Sequence, residues 1–247
     1  MSVPGARDIV LAVGAHPDDV EFSCGGTLAA LVARGVEVHI AVVTDGWCGS
    51  YTLPGPEIAR VRLGEARRAA EICGAASFTH LGMHDQGSEN TNERRRDLVN
   101  LIRRLGATVL IGQSPLDYHV DHRNAAELVF GARCAAGVPN FADEPPLAVT
   151  PHLAVMDTNM GVGFEPHLWV DVSDTFETKR AMLSAHGSQL AMEDALYGAG
   201  PVEMMEIFAR FRGAQRAVRY AEAYRGCETY PEPDGGLRFL VRTLERA

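Results

Sequence analysis

No stretch of the 247-residue chain is apolar for long enough to span a bilayer, and its start, MSVPGARDIV, has no basic flank followed by an apolar signal-type segment. Neither membrane insertion nor export is expected, so the chain reads as cytoplasmic. Basic charge is also in short supply. The 32 Asp and Glu outweigh 23 Lys and Arg, for a formal net charge of -9, and no basic run is present that could follow a phosphate backbone. Nucleic acid and anionic membrane are disfavoured as partners. Cysteine is sparse: Cys24, Cys48, Cys73, Cys134 and Cys227 are odd in number, scattered, and never in a C-x-x-C pair. That pattern argues against a disulfide framework and against a thiolate zinc site. Repeats and low-complexity segments are absent as well, so the later third reads as an extension of the same domain rather than a second one.

What is present is the balance of an ordinary globular protein, with 46% hydrophobic and 22% charged residues. We expect one domain over residues 1–247. Ile9 to Val13, Val38 to Thr44 and Thr108 to Gly112 are short β-branched apolar runs, as strands buried on both faces of a parallel sheet should be. Helical patterns lie between them. Thr27 to Arg34 opens after Gly25-Gly26, Glu57 to Cys73 opens after Pro56 and stops at Gly74, and Asn92 to Leu105 stops at Gly106. Strands at His152 to Met156 and His167 to Val172 follow. Ser173-Asp174, spaced to Glu177, should start one further helix, and Val202 to Tyr220 should form another. The alternation predicts an α/β fold: a doubly wound, Rossmann-like, mostly parallel sheet with helices on both faces and a C-terminal extension.

The segment Gly14-Ala15-His16-Pro17-Asp18-Asp19-Val20-Glu21 falls where the first strand ends, the edge at which such sheets bind ligands. Its adjacent carboxylates would repel the pyrophosphate that a glycine-rich turn accepts there. His16 and Asp19, three residues apart, can instead converge on one cation and leave Asp18 beside it. Either aspartate could equally cap the next helix. The crowding of His16 with three carboxylates favours the cation, because clustered like charges need compensation.

A second group, Asp117-Tyr118-His119-Val120-Asp121-His122, follows the strand at Thr108 to Gly112 and so belongs on the same edge. Two imidazoles and one carboxylate with an open position make a catalytic zinc site, although the same donors can hold ferrous iron. Otherwise one histidine would cap the helix Arg123 to Ala136 and the other would be exposed. On the helix Glu57 to Cys73, Arg62 and Glu65 fall on the apolar face. They either pair with each other or send Arg62 to a polar substrate. Asp45, after the second strand, is placed to accept from a sugar hydroxyl, or else is a solvated turn residue.

The blocks AHPDDVEFSCGGTLAALVARG, R-L-G-E-A at Arg62 and D-Y-H-V-D-H at Asp117 resemble the LmbE-like, or PIG-L, family of zinc-dependent N-acetylglucosamine deacetylases. Weaker likeness continues through DVSDTFETKRAMLSAHGSQ and YAEAYRG. The resemblance implies that His16, Asp19 and His122 bind zinc and that Asp18 is the general base. It makes protonated His119, held by Asp121, the oxyanion partner and puts Arg62 on the substrate, an N-acetylated amino sugar. It also implies a homo-oligomer, a trimer or hexamer. Val120 and Tyr118 depart from the family pattern at the rim, and the loops Trp47 to Pro56 and Val138 to Pro151 are expected to meet the aglycone. Two other readings share the ligands: a non-haem iron oxygenase, and a non-catalytic sugar-binding protein that retains a metal.

Overall fold

A computed structural model describes residues 8–190, 192, 198–227 and 235–244. Strands Ile9–Gly14 (β1), Glu37–Thr44 (β2), Ser77–Met83 (β3), Val109–Gly112 (β4), His152–Met156 (β5), Leu168–Asp171 (β6) and Ala221–Gly226 (β7) form one sheet, ordered β3-β2-β1-β4-β5-β7-β6. β1 to β5 are parallel, with Val10 opposite Val38 on one side and Val109 on the other. β7 runs antiparallel between β5 and β6. The C-terminal region therefore extends the same sheet.

Alternation along β1 decides the layers. Val10 and Ala12 face a core shared with Asp19–Ala33 (α1), Gly55–Cys73 (α2), Phe176–Ser184 (α5), Pro201–Ala214 (α6) and Gly235–Leu244 (α7). Leu11 and Val13 face Asn92–Leu105 (α3) and Val120–Ala135 (α4). Helices thus cover both faces, as expected of a doubly wound sheet. The stops at Gly74 and Gly106 also form as expected, with φ of 79° and 67° in the left-handed region that glycine enters without penalty.

Several boundaries differ from the sequence reading. α1 opens at Asp19, so Gly25 and Gly26 lie inside it. A Cβ on Gly26 would sit 2.7 Å from Val172 Cβ, so glycine there permits close approach of the segment behind α1 rather than starting the helix. That approach is also polar. Lys179, the chain's only lysine, is buried, pairs with Glu222 and donates to the Phe22 carbonyl at 2.6 Å. Glu222 accepts the Gly26 and Thr27 main-chain N–H groups, each at 2.8 Å. Ser173 and Asp174 do not cap α5, whose N-cap is Thr175; the Ser173 hydroxyl donates to Asp171 instead. α6 ends at Ala214, short of Tyr220, because the chain reverses over Gly213, whose carbonyl accepts from Arg216 and Val218.

Candidate active site

The chain runs outward from β1 through β2 to β3 and then restarts on the other side of β1 with β4. The loops after β1 and β4 flank this reversal, where an open α/β sheet has its crevice. The first carries His16, Asp18 and Asp19, and the second carries Asp117 to His122. A cavity of about 490 Å³ opens there, lined by His16, Asp18, Asp19, Arg62, His119 and His122 among others.

Asp19, the first residue of α1, lies between two imidazoles. One carboxylate oxygen accepts the His16 main-chain N–H at 2.7 Å and lies 3.3 Å from His16 Nδ1, while the other is 3.3 Å from His122 Nε2. The His16, His119 and His122 ring nitrogens form a group within 4.8 Å of one another that could hold a metal ion. The expected trio of His16, Asp19 and His122 is thus assembled, with His119 alongside. Buried carboxylates back two of the imidazoles. His122 Nδ1 lies 3.1 Å from Asp117 Oδ2, and His16 Nε2 lies 3.2 Å from Asp121 Oδ2. Burial alone would lower the basicity of these histidines. The Asp121 and Asp19 contacts nonetheless raise His16 to about 9, and Asp19 and Asp117 raise His122 to about 10. Both must release their protons to bind a metal.

Asp18 occupies the N-cap position of α1 without a capping side-chain hydrogen bond, at φ of 116°, a backbone conformation that residues with side chains rarely adopt. Burial raises its pKa, against the neighbouring Arg62. Arg62 is buried and spans the gap, its Nη2 donating to the Pro17 carbonyl at 2.7 Å and to Asp18 Oδ2 at 2.9 Å. It does not pair with Glu65, which accepts instead from the Ser188 main-chain N–H and hydroxyl. Gly46 and Gly49 leave room for the guanidinium, since a Cβ on either would come within 2.5 Å of the Arg62 side chain.

Three sequence expectations need correction. Asp121 does not hold His119 through its carboxylate, which accepts from Ser88 and from the Gln86 N–H and faces His16. The link is the Asp121 main-chain N–H, a free first-turn donor of α4, which reaches His119 Nδ1 at 3.2 Å. Nδ1 is therefore an acceptor, so His119 is neutral with its proton on Nε2. Burial and the charges of His16 and His122 likewise hold its pKa below the usual imidazole value. Asp45 is not turned to the cavity: its oxygens accept from the Trp47 N–H at 3.0 Å and meet His84 Nδ1 at 2.6 Å. The Val138 to Pro151 loop joins the end of α4 to the start of β5, on the sheet edge opposite the site, where five Arg103 hydrogen bonds hold the carbonyls of Ala135, Ala136, Val138, Ala142 and Glu144. The other loop, Trp47 to Pro56, does reach the cavity, through Cys48 and Gly49.

Sequence reasoning missed Asp85. Its carboxylate accepts from the Thr44 hydroxyl at 2.7 Å and from the N–H groups of Gly46 and Cys48, which shapes the loop around Arg62. It follows β3, a half-exposed edge strand whose mixed sequence SFTHLGM hid both strand and site residue.

Known proteins resemble this chain over most of its length. The diacetylchitobiose deacetylase of Thermococcus kodakarensis is 34% identical over 226 residues, spanning 87% of this chain and 82% of that protein. The N,N'-diacetylchitobiose deacetylase of Pyrococcus horikoshii superposes with a TM-score of 0.80 at 26% identity, over 94% of this chain and 85% of that one. The conserved protein TT1542 of Thermus thermophilus gives a TM-score of 0.76 at 30% identity, over 91% and 94% of the two chains. The family model for GlcNAc-PI de-N-acetylase matches residues 11–132, which contain every side chain grouped above around the three histidines. On this likeness of sequence, fold and extent, the chain belongs to the PIG-L family of de-N-acetylases.

Proposed function

We propose that the protein is a zinc-dependent amide hydrolase that removes the acetyl group from an N-acetylglucosamine-type sugar or conjugate. The observation that carries this reading is the convergence of Asp19 on His16 and His122, with Asp18 beside them, in one cavity at the sheet reversal. The donors fit a divalent ion: two imidazoles and a carboxylate are gathered within contact distance, and buried carboxylates stand behind both imidazoles. His16, Asp19 and His122 would hold zinc with a position open to substrate. Zinc supplies the Lewis acidity that amide hydrolysis needs.

The chain's own groups do the rest. Asp18 accepts a proton from the attacking water and returns it to the leaving amine nitrogen. Burial keeps its carboxylate basic, and the Arg62 hydrogen bond holds it in place. His119 offers its Nε2–H to the developing oxyanion, a contact that needs no charged imidazole. Asp121 orients His16, and Asp117 orients His122. The iron-oxygenase alternative has nothing in its favour: a spare base beside the ligands serves hydrolysis, not oxygen activation. We carry over a single catalytic domain and a cytoplasmic setting from the sequence reading, and self-assembly from the family resemblance. No helix among the described residues is long and apolar enough to cross a membrane.

The test is amine release from N-acetylglucosaminides. Chelator-treated protein is expected to lose activity and to recover it with zinc. Full turnover by metal-free protein would reject the mechanism.

A further inference from the structure

The groups assigned to the acetamide all lie between residues 16 and 122, but the cavity has a second wall of different origin. Met160, Leu183, Met192, Pro201 and Met204 line it together with Phe22 of α1. Apart from Phe22, these residues lie beyond the 11–132 span that matches the family. Asn159, His186 and Gln189 from the same part of the chain also line the cavity and can meet sugar hydroxyls. None of the six apolar side chains offers a donor, however, and the thioethers are only weak acceptors, so the six form an apolar patch beside the polar ones.

Its construction is specific. Met160 holds φ 55° and ψ 20°, left-handed values that cost energy for a residue with a side chain and persist mainly where surroundings enforce them. Here the turn is pinned from behind. The Thr158 hydroxyl donates to the Val162 carbonyl at 2.8 Å, and a Cβ on Gly161 would lie 2.6 Å from Arg212 Nη2, itself part of a guanidinium tied to Asp157 at 2.7 Å. The strained turn presents Met160 to the cavity. Phe22 is set in turn by stacking on Phe208, with centroids 6.4 Å apart.

We propose that the substrate carries a bulky apolar group in addition to its acetamide, and that this wall binds it, the flexible methionines adapting to its shape. The inference rests on the amino-sugar reading above and assigns that substrate's chemical class. The group is the aglycone, because the amine nitrogen already carries the acetyl that the proposed reaction removes.

Zinc-loaded protein is titrated calorimetrically with methyl and octyl glucosaminide, the amine products, which reads the wall without turnover. In parallel, kcat/KM is compared for methyl and octyl N-acetylglucosaminide, and for methyl glucosaminides carrying N-acetyl or N-hexanoyl. We expect about tenfold or greater preference for octyl over methyl, a difference well within what burying a few methylenes provides. A hexanoyl preference without an octyl preference would place the hydrocarbon on the acyl side and overturn the proposal. In the Met160→Asn/Met204→Asn variant the octyl-to-methyl ratio should fall to about twofold or less. An octyl-to-methyl ratio near unity in the wild type would overturn the proposal, as would an undiminished ratio in a variant whose circular dichroism matches wild type. If octyl glucosaminide binds tightly while no conjugate releases amine, the hydrolase reading fails and the apolar site stands. If every conjugate turns over without discrimination, the hydrolase reading stands and the apolar site fails.

Discussion

Asp18 and Asp19 are adjacent, yet the start of α1 sends their carboxylates to different neighbours, Arg62 for one and the two histidines for the other. Identical side chains thereby acquire different chemistry. Asp18→Asn should keep its metal while turnover falls roughly 10² to 10⁴-fold, the usual worth of general acid-base catalysis. Metal analysis checks it: loss of zinc would mean that the two aspartates had exchanged roles. His119 and His122 divide in the same way. His122, in contact with Asp19 and Asp117, is expected to be a ligand, so His122→Ala should lose zinc and activity together. His119 is near enough to join a metal group, but its Nδ1 is occupied by the Asp121 N–H. His119→Ala should therefore retain stoichiometric zinc and nearly unchanged KM while kcat falls about 10² to 10³-fold, as for loss of one oxyanion donor. Zinc content reversed between the two variants would reverse the assignment. The residue types and their spacing were legible in the sequence. Which atom each residue meets was not: Asp121 reaches His119 with its backbone and His16 with its side chain, a distinction made only by the helix start at Val120.

At the scale of elements, α1 carries the site and is itself held from outside. The Lys179 ammonium and Glu222 carboxylate engage main-chain groups of Phe22, Gly26 and Thr27 in mid-helix, tying α1 to α5 and β7. Lys179 and Glu222 are 1% and 3% exposed, so removing one partner strands a buried charge. Lys179→Met should cost about 3 to 5 kcal/mol in denaturant unfolding. Lys179→Met/Glu222→Leu should recover part of that loss, because no unpaired charge remains. A loss below about 1 kcal/mol in the single variant would show that the pair is not stabilising α1. Sequence periodicity located α2 and α3 well, since each has one apolar face and ends on a left-handed glycine. It failed for α1, β3 and β7 for separate reasons. α1 is buried on nearly every side and keeps glycines for close packing; β3 is a half-exposed edge; and β7 carries Glu222, whose charge is matched by a lysine 43 positions away.

In the whole molecule, the proposed ligands His16 and His122 come from the loop after β1 and the first turn of α4, which only the reversal between β1 and β4 brings together. A metal bound across both segments should stabilise the native state by mass action, about 2.7 kcal/mol at a hundredfold excess over Kd. For a chain of this size that corresponds to a rise in Tm of roughly 5 to 10 °C, measurable by calorimetry with and without zinc. An unchanged Tm in wild type at saturating zinc would deny that the two segments share an ion. By itself, the sequence determined the alternation of strands and helices, and with it the sheet edge on which both charged motifs must lie. Hydrophobic period and local spacing are short-range properties that the chain carries without folding. Only the tertiary structure decided that Arg62 serves Asp18 rather than Glu65, that Asp45 turns to His84, that Asp85 shapes the site, and that methionines from a distant segment close the cavity. Each of these depends on contacts between segments far apart in sequence, where burial and competition among polar partners, not spacing, select the neighbour.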